Sequence, residues 1–132
     1  MLLLDSEAIS SMAHGPAERR DRVRALVMEM RSLNLPVATV AAVLAEVVRG
    51  RPADAGVFAG LRRERVEVHP VDSRIAVRAG RMLGAVGAGS ELAVDAFLVA
   101  DGDLGGGAVI ATCDPDDLAR LASVAQHVVV AD

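Results

Sequence analysis

The sequence predicts an α/β fold, a parallel sheet with helices on both faces. Three observations carry this. Short apolar or β-branched runs alternate with amphipathic stretches along the chain. The first run, Leu2–Leu4, is all leucine, as suits a strand buried on both faces. The chain has 132 residues and is 52% hydrophobic, enough for one packed domain spanning 1–132.

The elements follow in order. After the opening strand, Ser6–Ala13 reads as a short helix closed by His14-Gly15-Pro16. Ala17–Leu33 is a longer helix, with Val23, Leu26, Val27 and Met30 at i, i+3, i+4, i+7. Pro36–Ala38 is a second strand, and Thr39 suits the cap of a helix over Val40–Arg49. Ala53–Arg63 is a weaker helix, interrupted by Gly56 and Gly60. Val66–Val71 is a third strand. Asp72 or Ser73 then caps a helix with the stripe Ile75, Ala79, Met82 and Leu83. Gly84–Gly89 reads as a loop, Ser90 as the cap of a buried helix Glu91–Ala100, and Asp101–Gly107 as a turn. Ala108–Thr112 is a fourth strand. Asp114-Pro115 opens a helix with proline at its first position, and Val128–Ala131 closes the sheet.

Composition narrows the function. No apolar run approaches the ~20 residues of a membrane span, and the N-terminal run is too short for a signal peptide. A soluble cytoplasmic protein is expected. The single cysteine, Cys113, gives no disulfide framework, and His14, His69 and His127 lack zinc spacing. All 14 basic residues are arginine, so the glycine-rich stretches lack the lysine of a phosphate loop. With no Trp or Tyr and only Phe58 and Phe97, nucleic-acid binding by stacking is disfavoured.

The acids carry the chemistry. Asp5 ends the first strand and precedes the Ser6 hydroxyl; ligands of parallel sheets bind beyond such strand ends. Glu46 is the only charge between Pro36 and Val48, and Asp95 the only charge in Leu92–Ala100. Asp114 closes the run Val109–Cys113. Ionised carboxylates seldom sit in apolar company unless paired or metal-bound. Hard divalent cations take oxygen ligands. Each acid also has a plainer role: a helix cap for Asp5 and Asp114, a solvated boundary for Glu46, an arginine pair for Asp95. Their order and placement together point to a shared cation.

That ordered set resembles the PIN domain, and more closely a VapC-type toxin ribonuclease of a bacterial toxin–antitoxin pair. The residues carrying it are Leu3-Leu4-Asp5-Ser6, Val43-Leu44-Ala45-Glu46-Val47, Val94–Ala100 and Thr112-Cys113-Asp114-Pro115-Asp116-Asp117-Leu118. The resemblance spans essentially the whole chain. It implies a PIN-like three-layer fold whose mostly parallel sheet has four or five strands. It implies an endoribonuclease dependent on Mg²⁺ or Mn²⁺, with Asp5, Glu46, Asp95 and Asp114 as its catalytic and metal-binding acids. Asp116 or Asp117 would assist through water, Asp117 being favoured, although both suit a helix's first turn. Ser6 and Thr112 would be polar groups beside the metal, Ser6 alternatively a cap. The resemblance further implies an RNA substrate cut to 5′-phosphate and 3′-hydroxyl ends, a homodimer, and a VapB-type antitoxin covering the site. The alternative is a catalytically silent PIN-like module that binds RNA or protein.

RNA affinity would come from arginines. Arg74, Arg78 and Arg81 share a helix face, Arg62, Arg63 and Arg65 cluster before the third strand, and Arg49 and Arg51 follow Glu46. The last pair is favoured for its place in the chain. Val57, Phe58 and Leu61 suit a partner groove or ordinary core.

Overall fold

A computed structural model describes residues 1–132. Five strands, β1 (Leu2–Leu4), β2 (Val37–Val40), β3 (Glu67–His69), β4 (Ala108–Ala111) and β5 (Val128–Ala131), form one sheet. Every pairing is parallel, and the order is β3-β2-β1-β4-β5. β1 is central: Leu2 aligns with Val37 on one side and Val109 on the other. Its three leucines have no solvent exposure. Complete burial of a leucine is worth about 1.5–3 kcal/mol, which fixes this run as the core of the sheet.

Seven helices complete the fold: α1 (Ser6–His14), α2 (Ala17–Ser32), α3 (Ala41–Val47), α4 (Asp54–Arg63), α5 (Ser73–Val86), α6 (Ala93–Leu104) and α7 (Asp116–Ala122). Right-handed crossovers place the helices before and after β2 on one face and those flanking β4 on the other. Accordingly α1 packs on α2, α3 and α4, while α6 packs on α5 and α7. α3 also touches α6. No helix is long and apolar enough to cross a membrane.

Several local expectations are corrected by tertiary contacts. Thr39 is not a cap: it lies within β2, and its hydroxyl donates to the Leu4 carbonyl at 2.7 Å. α5 runs through Gly84 to Val86 and stops at Gly87, whose φ of +69° suits glycine. Ser90–Leu92 is a 3₁₀ turn, and α6 begins after it without a side-chain cap. α6 continues through the expected turn to Leu104, because Asp101 and Asp103 are satisfied by His69 and Arg78. α7 starts at Asp116, so Pro115 rather than Asp114 holds the cap position, and Asp114 makes no cap bond. The third strand shrinks to Glu67–His69, an edge strand with Val68 42% exposed.

Gly102 explains how closely α6 approaches the sheet. A Cβ there would lie 2.8 Å from the Ala108 Cβ and 3.2 Å from Leu3 Cδ1. The missing side chain lets α6 press onto β1 and β4, which sets the position of its first turn.

Candidate active site

The chain leaves β1 towards β2 on one side, while β4, the other neighbour of β1, leads on to β5. The resulting crevice opens at the carboxyl ends of β1 and β4, where parallel sheets bind ligands. Asp5 stands at the end of β1, and its backbone N–H donates to Ala111 at the end of β4. Thr112, Cys113 and Asp114 continue from β4 on the opposite lip.

Asp5 is 5% exposed and caps α1, accepting from the Ala8 N–H at 2.7 Å. Burial pushes its pKa up to about 6, against the hydrogen bonds from Thr112 and Ala8; Glu7 and Glu46 add repulsion. The cap and the site therefore use the same side chain.

Asp95 lies in the first turn of α6 and is half-buried. Its pKa also rises to about 6, first through burial and then through the charges of Glu46, Asp5, Asp117 and Asp114. Four acids from α3, β1, α7 and the turn after β4 thus act on one carboxylate. Asp116 is not among these main influences.

Glu46, near the C-terminal end of α3, is exposed, as are Asp114, Asp116 and Asp117. Thr112 is buried, and its hydroxyl accepts the Asp114 N–H at 3.0 Å, closing the turn that carries Asp114. Ser6 is half-buried as the first residue of α1.

No arginine or histidine forms an ion pair with Asp5, Glu46, Asp95, Asp114 or Asp117. The arginine pair considered for Asp95 is therefore not made. As the side chains stand, no three of these groups are close enough to share one ion. The acids form a common electrostatic field rather than a closed shell.

Four acids that the motifs do not include have structural partners. Asp54 accepts the backbone N–H groups of Arg49, Gly50 and Arg51 at 3.1, 2.7 and 3.1 Å, fixing the loop after α3. Those bonds, the one from Arg49 foremost, hold its pKa below the usual carboxylate value. Asp103 binds Arg78, and Asp101 binds His69 Nδ1 at 2.8 Å. Glu67 meets the other nitrogen of His69 at 3.2 Å. Arg49, favoured for RNA, turns its guanidinium back to the Ala45 carbonyl at 3.3 Å. Such pairs join residues distant in sequence or in neighbouring loops, and no local pattern in the sequence marks them.

No protein-family model matches the chain, and no curated protein sequence matches it. Among solved structures, the chain is similar to one in the crystal structure of VapBC2 from Rickettsia felis bound to a DNA fragment from their promoter. The TM-score is 0.66 at 14% identity, covering 99% of this chain and 98% of that chain. The likeness is one of fold. The chain has a PIN-like α/β fold, and the fold expected from its acidic motifs is the one it adopts.

Proposed function

We propose that the protein is a Mg²⁺- or Mn²⁺-dependent endoribonuclease, the toxin of a VapC-type pair. One observation carries the reading: the charges of Glu46, Asp5, Asp117 and Asp114, from separate segments, all act on Asp95, and none of these acids is in an ion pair with an arginine. The donor set is all oxygen and anionic, as hard cations require. Mg²⁺ commonly uses one or two carboxylates together with water and substrate phosphate, so a loose acidic field fits it better than a closed cage would. Bound there, the ion would supply a Lewis acid for phosphate oxygens and lower the pKa of water.

The chain's own residues divide the work. Asp5, Glu46, Asp95 and Asp114 would hold the cation. Asp5 is oriented by its bond from the Ala8 N–H. Asp95 feels the charges of the other acids most broadly, a repulsion that a bound cation would relieve. Asp117 is preferred to Asp116 as the auxiliary acid, because its charge reaches Asp95. Thr112 positions Asp114 through its turn.

An apolar concavity lined by Leu44, Phe58, Leu61, Val66 and Val68 and rimmed by Arg62 and Arg65 suits an amphipathic segment of a VapB-type antitoxin. A homodimer and a cytoplasmic setting belong to the same reading.

The test is incubation of RNA with Mg²⁺ or Mn²⁺ and mapping of the ends. Wild type is expected to leave 5′-phosphates, and Asp5→Asn and Asp95→Asn to lose about 10²-fold or more. Equal activity in all three would reject the site. RNA binding without cleavage in wild type would make the chain the silent module instead.

A further inference from the structure

Helix α5 carries three arginines and no acid, in a chain of net charge −4. Arg74, Arg78 and Arg81 fall at i, i+4 and i+7 and share a face. Arg78 is already engaged: it grips Asp103 at 3.0 and 3.2 Å and donates to the Val124 carbonyl. Arg74 and Arg81 are exposed and in no ion pair. Some arginine charge is offset locally, as for Arg22 by Glu18 and for Arg63 by Glu64. Arg74, Arg78 and Arg81 line an open concavity of about 440 Å³ with Val77 and Leu104. Val77, between the two free guanidiniums, is 52% exposed.

The strip begins at the opposite end of the sheet from the acids, with Arg74 beside Met1 and Gly105 and Arg78 on Asp103 in the last turn of α6, and only its Val86 end approaches them. Arg120, one turn beyond Asp117 on α7, donates to the Val86 carbonyl at the end of α5. α5 also packs along α6, whose first turn holds Asp95. Arg74 and Arg81 lie about 10 Å apart along the helix axis.

We infer that this face of α5 binds the phosphate backbone of the RNA several nucleotides away from the cut. The identity of the polyanion rests on the RNA-hydrolase reading. The physical need is plain: the acidic field repels a polyanion, so affinity must be supplied elsewhere. Stacking is scarce in a chain with two phenylalanines and no Trp or Tyr. Arginine–phosphate contact is the term that remains. Of the arginine clusters, Arg62 and Arg65 rim an apolar groove, and Arg49 folds back on its own helix. The α5 pair is free, on one face and beside a concavity.

The experiment is a salt titration of binding to a fluorescein-labelled oligouridylate of about 20 nucleotides, long enough to cover a single-strand site, by anisotropy in EDTA. Wild type is compared with Arg74→Ala/Arg81→Ala and, as a control, Arg62→Ala/Arg65→Ala. Loss of two phosphate contacts is expected to reduce the slope of log K against log salt by about 1.4, at about 0.7 per contact on single strands. The control is expected to change it less. Thermal melting of the double variant is expected to match wild type, since neither side chain has a partner in the fold. An unchanged slope in the α5 variant would overturn the inference, and so would loss of binding to oligoglutamate in its place, which would assign the face to an acidic protein. Cleavage plays no part in this titration. Failure of the nuclease reading would show separately, as RNA binding with the expected slope but no cut in Mn²⁺.

Discussion

The carboxylate of Asp5 accepts a 2.7 Å hydrogen bond from the backbone N–H of Ala8 at the carboxyl end of β1. One side chain thus starts a helix and supplies negative charge to the crevice. Asparagine keeps the acceptor and removes the charge, whereas alanine removes both. Asp5→Ala is expected to be less stable than Asp5→Asn by about 1 kcal/mol, the usual worth of a cap. Urea unfolding measures the difference; equal stability would show that the cap carries no weight.

The raised pKa values of Asp5 and Asp95, both about 6, make stability depend on pH. In each case the folded form holds its proton more tightly than the unfolded chain. The metal-free protein is therefore expected to lose stability as pH rises from about 4 to about 6 and to carry the full penalty above that window. Asp95→Asn is expected to flatten the decline and raise the melting temperature above pH 6. Half-burial and screening reduce the gain to the order of 1 kcal/mol. Melting scans in EDTA read it directly, and an Asp95→Asn profile parallel to wild type would contradict the shared field.

His69 shares the direction of the shift, but here it is the charged form that the fold stabilises. Burial pulls its pKa down, but hydrogen bonds and charge from Asp101 and Glu67 outweigh this and hold it above its ordinary value. Its contribution is fully present below the unfolded pKa of about 6.5 and lost as pH rises through the folded value. His69→Ala is expected to cost about 1–2 kcal/mol in mildly acidic solution and less in alkaline solution. Comparing the two proteins' melting temperatures across pH checks this; a pH-independent difference would show that the ring acts by packing alone.

Gly102→Ala sets two effects against each other. Alanine in a helix interior gains about 0.5–1 kcal/mol over glycine. Its Cβ would meet the Ala108 Cβ at 2.8 Å and Leu3 Cδ1 at 3.2 Å, and such overpacking costs about 1–3 kcal/mol. The clash is expected to win, lowering stability by roughly 1–2 kcal/mol. Denaturant midpoints measure it, and a stabilised variant would show that α6 can lift off the sheet freely.

The sheet was legible because its strands are short, apolar and set apart by turn residues, as Leu2–Leu4 and Val128–Ala131 illustrate. The acids Asp5, Glu46 and Asp95 were legible because each stands alone in apolar company. What the sequence concealed depends on contacts between distant residues. Asp101-Gly102-Asp103 reads as a turn, yet it is helical because His69 and Arg78, far back in the chain, bind the two acids. Thr39 reads as a cap, yet its hydroxyl is taken by Leu4 on the neighbouring strand. Asp114 before Pro115 also reads as a cap, but the turn made by Thr112 displaces the helix start to Asp116.

Calorimetric titration of Mn²⁺ into wild type, Asp95→Asn and Glu46→Gln tests most directly whether these separated acids serve one cation. Wild type is expected to bind, and each substitution to weaken binding by about tenfold or more, comparable to losses on disturbing a metal site's surroundings. Equal affinity in all three proteins, or no binding by wild type, would contradict the shared site.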